Sequence, residues 1–217
     1  MKNYLLIACL LLTTALNAQV ETCIGNNGEM QTLFGGDRSF GGFIGLGTKF
    51  TTLNDQGGMM LGGEINGVFG HSLNVGFVGY GLVTDVYGVN RDDDNQRLYY
   101  EMGYGGLNIE PVFFSRRAIH FSAPVVIGAG GIGESRQRFI DIDEFDEDQD
   151  YDWPDFYNSD FFLVVEPGLQ LEINLLRAVR LYGGASYRFV TDVDLPNTDV
   201  DRLGGISANF GLRFGWF

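Results

Sequence analysis

Residues Leu203 to Phe217 read LGGISANFGLRFGWF, and from Ile206 onward two kinds of side chain alternate strictly. One row is apolar and comprises Ile206, Ala208, Phe210, Leu212, Phe214 and Trp216. The other row is small or polar and comprises Ser207, Asn209, Gly211, Arg213 and Gly215. A repeat of two residues predicts a β-strand whose faces lie in different surroundings. A tilted strand of about 9–11 residues is long enough to cross a bilayer.

Seven upstream segments alternate in the same way, at 40–53, 58–69, 73–87, 98–113, 119–133, 160–174 and 178–190. Short and long connections alternate along the chain. The first connection breaks this rule, because it is short where the alternation would make it long. In an up-and-down barrel, successive connections lie at opposite ends, and outer-membrane barrels have short periplasmic turns and long external loops. The sequence therefore predicts an all-β fold, an eight-stranded antiparallel up-and-down transmembrane β-barrel.

Composition supports an all-β protein and argues against one class of partner. The 217 residues include 32 glycines, and 14% of them are aromatic. The net charge is −14, which argues against a nucleic-acid partner. Most of this negative charge falls in the long loops, whereas the short turns carry Arg116, Arg117 and Arg177.

The amino-terminal region is expected to direct secretion. Residues 1–18 combine Lys2, an apolar run and the small residue Ala18, as a signal peptide does. Residues 19–39 are expected to form a periplasmic lead-in, and residues 40–217 the barrel. Cys23 is the one cysteine after residue 18, and we expect a free thiol. No apolar run reaches the length of a transmembrane helix.

Alternation alone leaves open which row faces inward. A soluble, lipocalin-like barrel would enclose the apolar row, whereas an outer-membrane barrel encloses the polar one. The polar row is rich in Gly, Ser, Asn and Tyr, which suits a crowded interior. Aromatic residues also collect near both ends of the segments, as they do at membrane interfaces. These features favour the membrane arrangement.

The charges of the polar row are balanced on this assignment. They are Lys49, Arg180, Arg188 and Arg213 against Glu64, Glu110, Glu166 and Glu172. Unpaired buried charge is costly, so a narrow barrel should neutralise its interior. We expect an ion-pair network that plugs a polar lumen, rather than a catalytic carboxylate pair.

The signal peptide, eight amphipathic strands, acidic loops and carboxy-terminal aromatic together resemble small outer-membrane β-barrel proteins. The chain looks similar to OmpA/OmpX-like and PorT-like barrels of Bacteroidota, whose signal peptides often end as Ala15–Gln19 does here. The resemblance implies a Gram-negative source, integration in the cell outer membrane with both termini periplasmic, and contact with outer-membrane lipid and the barrel-assembly machinery. Trp216 and Phe217 would form the assembly signal, although Phe217 is one step out of phase with the apolar row.

The acidic loop carries a candidate metal site. Asp146, Asp148, Asp150 and Asp152 offer carboxylates at every second position, and hard cations such as Ca²⁺ bind several such oxygens. The EF-hand pattern is absent, because its glycine and its final bidentate glutamate are missing. The alternative is a solvated acidic loop that repels or recruits a protein partner.

No catalytic constellation is expected. His71 and His120 lie in or beside short turns with Ser72 and Ser122 nearby, but no acid completes a Ser/His/Asp set. The sequence favours a non-enzymatic outer-membrane barrel with a structural or interaction role and no cofactor. The alternative is a narrow channel or a small-molecule carrier, either in the outer membrane or as a soluble lipocalin-like barrel.

Overall fold

The computed structural model describes residues 40–91, 95–136, 156–191, 193 and 203–217. The chain separates into two units, Met1–Arg38 and Ser39–Phe217, and all described residues belong to the second. The predicted signal peptide and lead-in, and the four aspartates of the candidate Ca²⁺ site, lie outside the described residues. Within those ranges, no helix has the length and apolar character needed to cross a membrane.

The described residues form ten β-strands. Their bounds are β1 Phe40–Leu53, β2 Gln56–Phe69, β3 Leu73–Leu82, β4 Tyr87–Arg91, β5 Arg97–Phe113, β6 Ile119–Ser122, β7 Val125–Ser135, β8 Phe156–Leu176, β9 Val179–Val190 and β10 Gly205–Trp216.

Every strand pairing is antiparallel, and the pairings return to their starting point. β1 pairs with β2, which pairs with β3, and β3 pairs with β5. The path continues from β5 through β7, β8 and β9 to β10. β10 then pairs with β1, from Gly42 opposite Trp216 to Thr51 opposite Ser207. The single sheet thus has a closed path of hydrogen-bonded neighbours.

The predicted count of eight strands is wrong, because the predicted segment 119–133 is interrupted and a further short strand, β4, begins at the end of the predicted segment 73–87. β3 and β4 both pair with β5 and are separated by residues 83–86. β6 and β7 both pair with β5 and β8 and are separated by Ala123 and Pro124. Proline has no backbone N–H to donate to a neighbouring strand, so it interrupts the ladder.

The connections define two ends of the sheet. The turn end holds the short connections β2–β3, β5–β6 and β8–β9, where Gly70, His71 and Phe114 have positive φ. The loop end holds the longer connections and the tight β1–β2 turn. Asn54 and Asp55 both have positive φ there, as the favoured two-residue hairpin turn requires. That turn chemistry explains why the first loop-end connection is short.

The two faces of the strands differ in exposure. Along β1, Ile44 and Leu46 are exposed whereas Phe43 and Lys49 are buried. We call the buried row the inner face and the exposed row the outer face. The outer face carries large apolar side chains on almost every strand, while the inner face carries most of the charged ones.

Candidate functional site

All eight charged residues predicted for the polar row lie buried on the inner face. They are Lys49, Glu64, Glu110, Glu166, Glu172, Arg180, Arg188 and Arg213. Seven of them join ion pairs that cross between strands, and Arg188 makes hydrogen bonds instead. The alternation of each strand places these side chains on one face, and the closed pairing brings distant strands within reach of each other.

The centre of the inner face is an ion pair between β1 and β8. Lys49 Nζ lies 2.6 Å from Glu166 Oε1 and 3.0 Å from the hydroxyl oxygen of Tyr104. The hydroxyls of Tyr104 and Ser186 both donate hydrogen bonds to Glu166. The ammonium group also lies 3.8 Å from the ring centre of Tyr80. The pair is therefore satisfied by hydrogen bonds and a cation–π contact, which offset the cost of removing both charges from water.

Nearer the turn end, one guanidinium group holds three carboxylates. Arg213 Nε lies 2.7 Å from Glu64, and Nη1 lies 2.8 Å from Glu110 and 2.6 Å from Glu172. The fork of N–H donors on arginine suits such a role, which a lysine could not fill with the same geometry. The guanidinium carbon lies 4.5 Å from the ring centre of Tyr182, so the aromatic ring packs against the cluster.

His120 is an inner-face residue that the sequence analysis missed. Its Nε2 lies 2.9 Å from Glu172 Oε2, and its Nδ1 lies 3.2 Å from the carbonyl oxygen of Arg117. Arg180 Nη1 donates to the same Glu172 oxygen at 3.2 Å. The alternation of Ile119, His120, Phe121 and Ser122 would have placed His120 in the polar row with Ser122. Both of these side chains are buried in the structure. Its position beside a turn pointed instead to an interfacial residue.

The loop-end half of the inner face also contains a buried apolar cluster, which the prediction of a polar lumen did not include. A buried cluster there includes Leu53, Met60, Met102, Ile132 and Phe162. These residues share the phase of the polar row on their own strands, which is why alternation alone did not reveal the change of character. Arg188 lies at the boundary, where its Nε donates to the carbonyl of Leu203 at 3.0 Å.

Glu134 is a further buried carboxylate. The sequence analysis ended the preceding segment at residue 133 and so placed Glu134 in the acidic loop. β7 extends to Ser135 and carries Glu134 onto the inner face. The side-chain amides of Asn90 and Asn158 donate to it at 2.9 and 3.1 Å. Amide donors from β4 and β8 therefore stabilise this carboxylate near the loop end.

A small cavity lies at the centre of the inner face. The cavity between Lys49, Tyr80, Glu166, Ser186 and Arg213 has a volume of about 20 Å³. That volume is close to the minimum that holds one water molecule. Side chains therefore leave little space around the Lys49–Glu166 ion pair.

The outer face has the opposite character. Leu46 is 70% exposed and Phe161 is 82% exposed, and similar apolar residues occupy the same row of neighbouring strands. Soluble monomers rarely expose a contiguous apolar patch larger than a few hundred Å². Such a surface is stable where its surroundings are themselves apolar.

Trp216 and Phe217 lie on different sides of the sheet. Trp216 is 79% exposed on the outer face. The ring centre of Phe217 lies 5.4 Å from that of the buried Phe43 and 3.7 Å from the guanidinium carbon of Arg180. The phase mismatch seen in the sequence therefore corresponds to a Phe217 ring that packs against inner-face residues.

A larger pocket opens at the turn end. Its volume is about 530 Å³, and its lining includes Arg116, Arg177, Arg180, Leu176 and Phe217. The three short turns, β2–β3, β5–β6 and β8–β9, and the residue after the last strand, β10, meet here. We call it the turn-end pocket.

The described residues contain no group of three or more His, Cys, Asp or Glu side chains that could hold a metal ion. Inner-face carboxylates such as Glu166, Glu64, Glu172 and Glu134 each contact a cationic side chain or a hydrogen-bond donor. The Ca²⁺ hypothesis for the acidic loop stays a prediction, because its four aspartates lie outside the described residues.

Comparison with known proteins gives a likeness at the level of the fold. No family model matches the chain, and no curated protein matches it. The solved structure of Neisserial surface protein A is 9% identical with a TM-score of 0.52, covering 81% of this chain and 96% of that one. A major outer membrane protein from Thermus thermophilus is 9% identical with a TM-score of 0.53, covering 82% and 100%. The chain thus shares the fold of small outer-membrane β-barrel proteins.

Proposed function

We propose that the chain is a non-enzymatic integral outer-membrane β-barrel with a plugged lumen and a structural or interaction role. In this proposal, β3 with β4, and β6 with β7, each act as one interrupted strand of the wall, which gives eight strand positions. An even number of positions places both termini at the turn end, which would face the periplasm.

The inversion of the two faces is the observation that carries the proposal. Arg213 and its three carboxylates are buried, while residues such as Ile44, Leu46 and Phe161 are exposed. In water, this arrangement would expose a wide apolar surface on the outer face while the charged side chains are buried on the inner face. In a bilayer, the apolar row contacts lipid, and the closed pairing satisfies the backbone groups. The soluble lipocalin-like alternative requires the reverse arrangement.

The small central cavity favours a plug over the channel or carrier alternatives. A cavity of about 20 Å³ has no room for a solute, and the apolar cluster lies between it and the loop end. The burial of His120 and Glu172, which contact each other, supports a non-enzymatic role. The carboxylates are also engaged by Lys49, Arg180 and Arg213.

Several finer features complete the proposal. Residues 1–18 would be removed as a signal peptide, residues 19–39 would lead into the barrel, and the barrel-assembly machinery would insert it. The acidic loops would be extracellular and would recruit a protein partner or bind Ca²⁺. The assignment to an OmpA/OmpX-like or PorT-like protein of Bacteroidota rests on the resemblance of the sequence, including residues 15–19.

Membrane fractionation with a heat-shift gel tests the placement. The folded protein should be recovered in the outer-membrane fraction, and its gel mobility in detergent should differ between unboiled and boiled samples. Recovery in the soluble fraction without a mobility shift would contradict the proposal and favour the lipocalin-like barrel.

Planar-bilayer recording separates a plug from a channel. The purified protein should give no stable conductance steps, because the central cavity has no room for a solute. A reproducible steady conductance in the folded, heat-shifting protein would overturn the plug and leave the membrane placement intact.

A further inference from the structure

The turn-end pocket is cationic, and no acidic side chain of the described residues lines it. Three guanidinium groups line it, from Arg116 in the β5–β6 turn, Arg177 in the β8–β9 turn and Arg180 in β9. The other lining residues are His71, Ser115, Asn174, Leu175, Leu176 and Phe217. Like charges held around one pocket repel each other, so an anion bound among them would be stabilised.

The base of the pocket provides a second and independent observation. Arg180 is 5% exposed, and its Nε is buried without a hydrogen-bond partner among the described residues. One of its terminal nitrogens donates to Glu172, and the ring of Phe217 covers its guanidinium face. A buried donor without an acceptor is costly, so Glu172 satisfies only part of the Arg180 guanidinium where that residue lines the pocket.

The size and shape of the donors point to a tetrahedral oxyanion. Guanidinium groups bind phosphate through paired N–H donors, and this geometry is a reason why arginine predominates in phosphate recognition. The volume of about 530 Å³ falls within the range of small-molecule sites, about 300–1,000 Å³. Leu175 and Leu176 are exposed beside the arginines, so the lining also offers apolar surface to a phosphate ester.

We propose that the turn-end pocket binds a phosphate group, held by Arg116 and Arg177 at its mouth and by Arg180 at its base. The phosphate is carried either by a lipid headgroup of the adjacent leaflet or by a soluble phosphate compound. The lipid source rests on the proposed membrane placement, whereas phosphate binding in detergent does not. The two proposals can therefore fail separately, the first in the fractionation and gel assay and the second in the binding assay below.

The test is ³¹P NMR line broadening with the full chain folded in a phosphate-free detergent. One probe is inorganic phosphate, and the other is dihexanoyl phosphatidylglycerol below its micelle concentration. Variants R116Q, R177Q and the double variant R116Q/R177Q remove charge at the mouth. The matched control is R117Q, because Arg117 is an exposed arginine of the same turn that does not line the pocket. The heat-shift gel checks that each variant is folded.

Each single substitution at the mouth should weaken binding by about tenfold, because each removes a charge-assisted contact. R117Q should bind as the unchanged chain does. Binding of both probes, or of the lipid alone, or of inorganic phosphate alone, supports the site and identifies the source. Failure of both probes to bind overturns the proposal, and so does equal weakening by R117Q, which would indicate diffuse surface charge.

Discussion

Lys49 Nζ lies 2.6 Å from Glu166 Oε1 at the centre of the inner face, and both side chains are almost completely buried. Removal of one partner leaves the other charge buried, which typically costs about 3–5 kcal/mol. K49M should therefore lower the free energy of unfolding by that amount, measured by urea titration with the heat-shift gel. The double variant K49M/E166Q removes both charges and should recover most of the loss. Equal losses in the single and double variants would contradict a coupled pair.

Adjacent phenylalanines on β8 test which face is inside. Phe162 is 2% exposed within the apolar cluster, whereas Phe161 is 82% exposed on the outer face. F162A leaves a cavity in a packed interior and should cost about 3–5 kcal/mol of unfolding free energy. F161A is the matched control and should cost much less. The opposite order in urea titrations would mean that the faces are assigned the wrong way round.

Glycine at position 211 makes room for an inner-face ring. A Cβ built on Gly211 would clash with the backbone oxygen of Leu46 and would lie 2.6 Å from Cε1 of Tyr182, which packs under Arg213. We expect G211A to destabilise the fold by about 1–3 kcal/mol, as overpacking does. G81A serves as the control, because a Cβ on Gly81 has no atom within 4 Å. If both substitutions are tolerated equally in the same unfolding assay, the close packing of Tyr182 is disproved.

Trp216 reports on the lipid directly. It is 79% exposed on the outer face, and Trp153 is the other tryptophan of the chain. In a W153F background, vesicles of brominated phosphatidylcholine should strongly quench the remaining fluorescence. The complementary variant W216F retains Trp153 in the proposed extracellular loop and should be quenched weakly. Weak quenching of Trp216 would place this row away from lipid.

The sequence predicted which charged side chains share a face, because the two-residue repeat of a strand fixes the side on which each residue lies. Lys49 and Arg213 are examples, and both are buried. Their partners were not predictable. Arg213 on β10 contacts Glu64 on β2 and Glu110 on β5, so the choice depends on how far each strand is shifted against its neighbours.

Two other features were harder to read for different physical reasons. The break at Pro124 was not predicted, because proline alone does not determine such a break: Pro111 and Pro167 lie within β5 and β8. The apolar cluster at the loop end was hidden, because Met60 and Phe162 keep the phase of the polar row while differing in character. Alternation predicts on which face of the sheet a side chain lies. It does not predict where along the strands the inner face changes from polar to apolar.

The pairing of β1 with β10 has a consequence for the order of folding. Arg213 contacts Glu64 and Glu110 across 149 and 103 residues of sequence, and contacts between such distant residues form slowly. Glu64, Glu110 and Glu172 lie on β2, β5 and β8, so these three acidic groups share their cation only when β10 is in place. Closure of the seam and neutralisation of the three carboxylates by Arg213 are therefore coupled. An intermediate without β10 would repel itself electrostatically and stay open until that strand arrives.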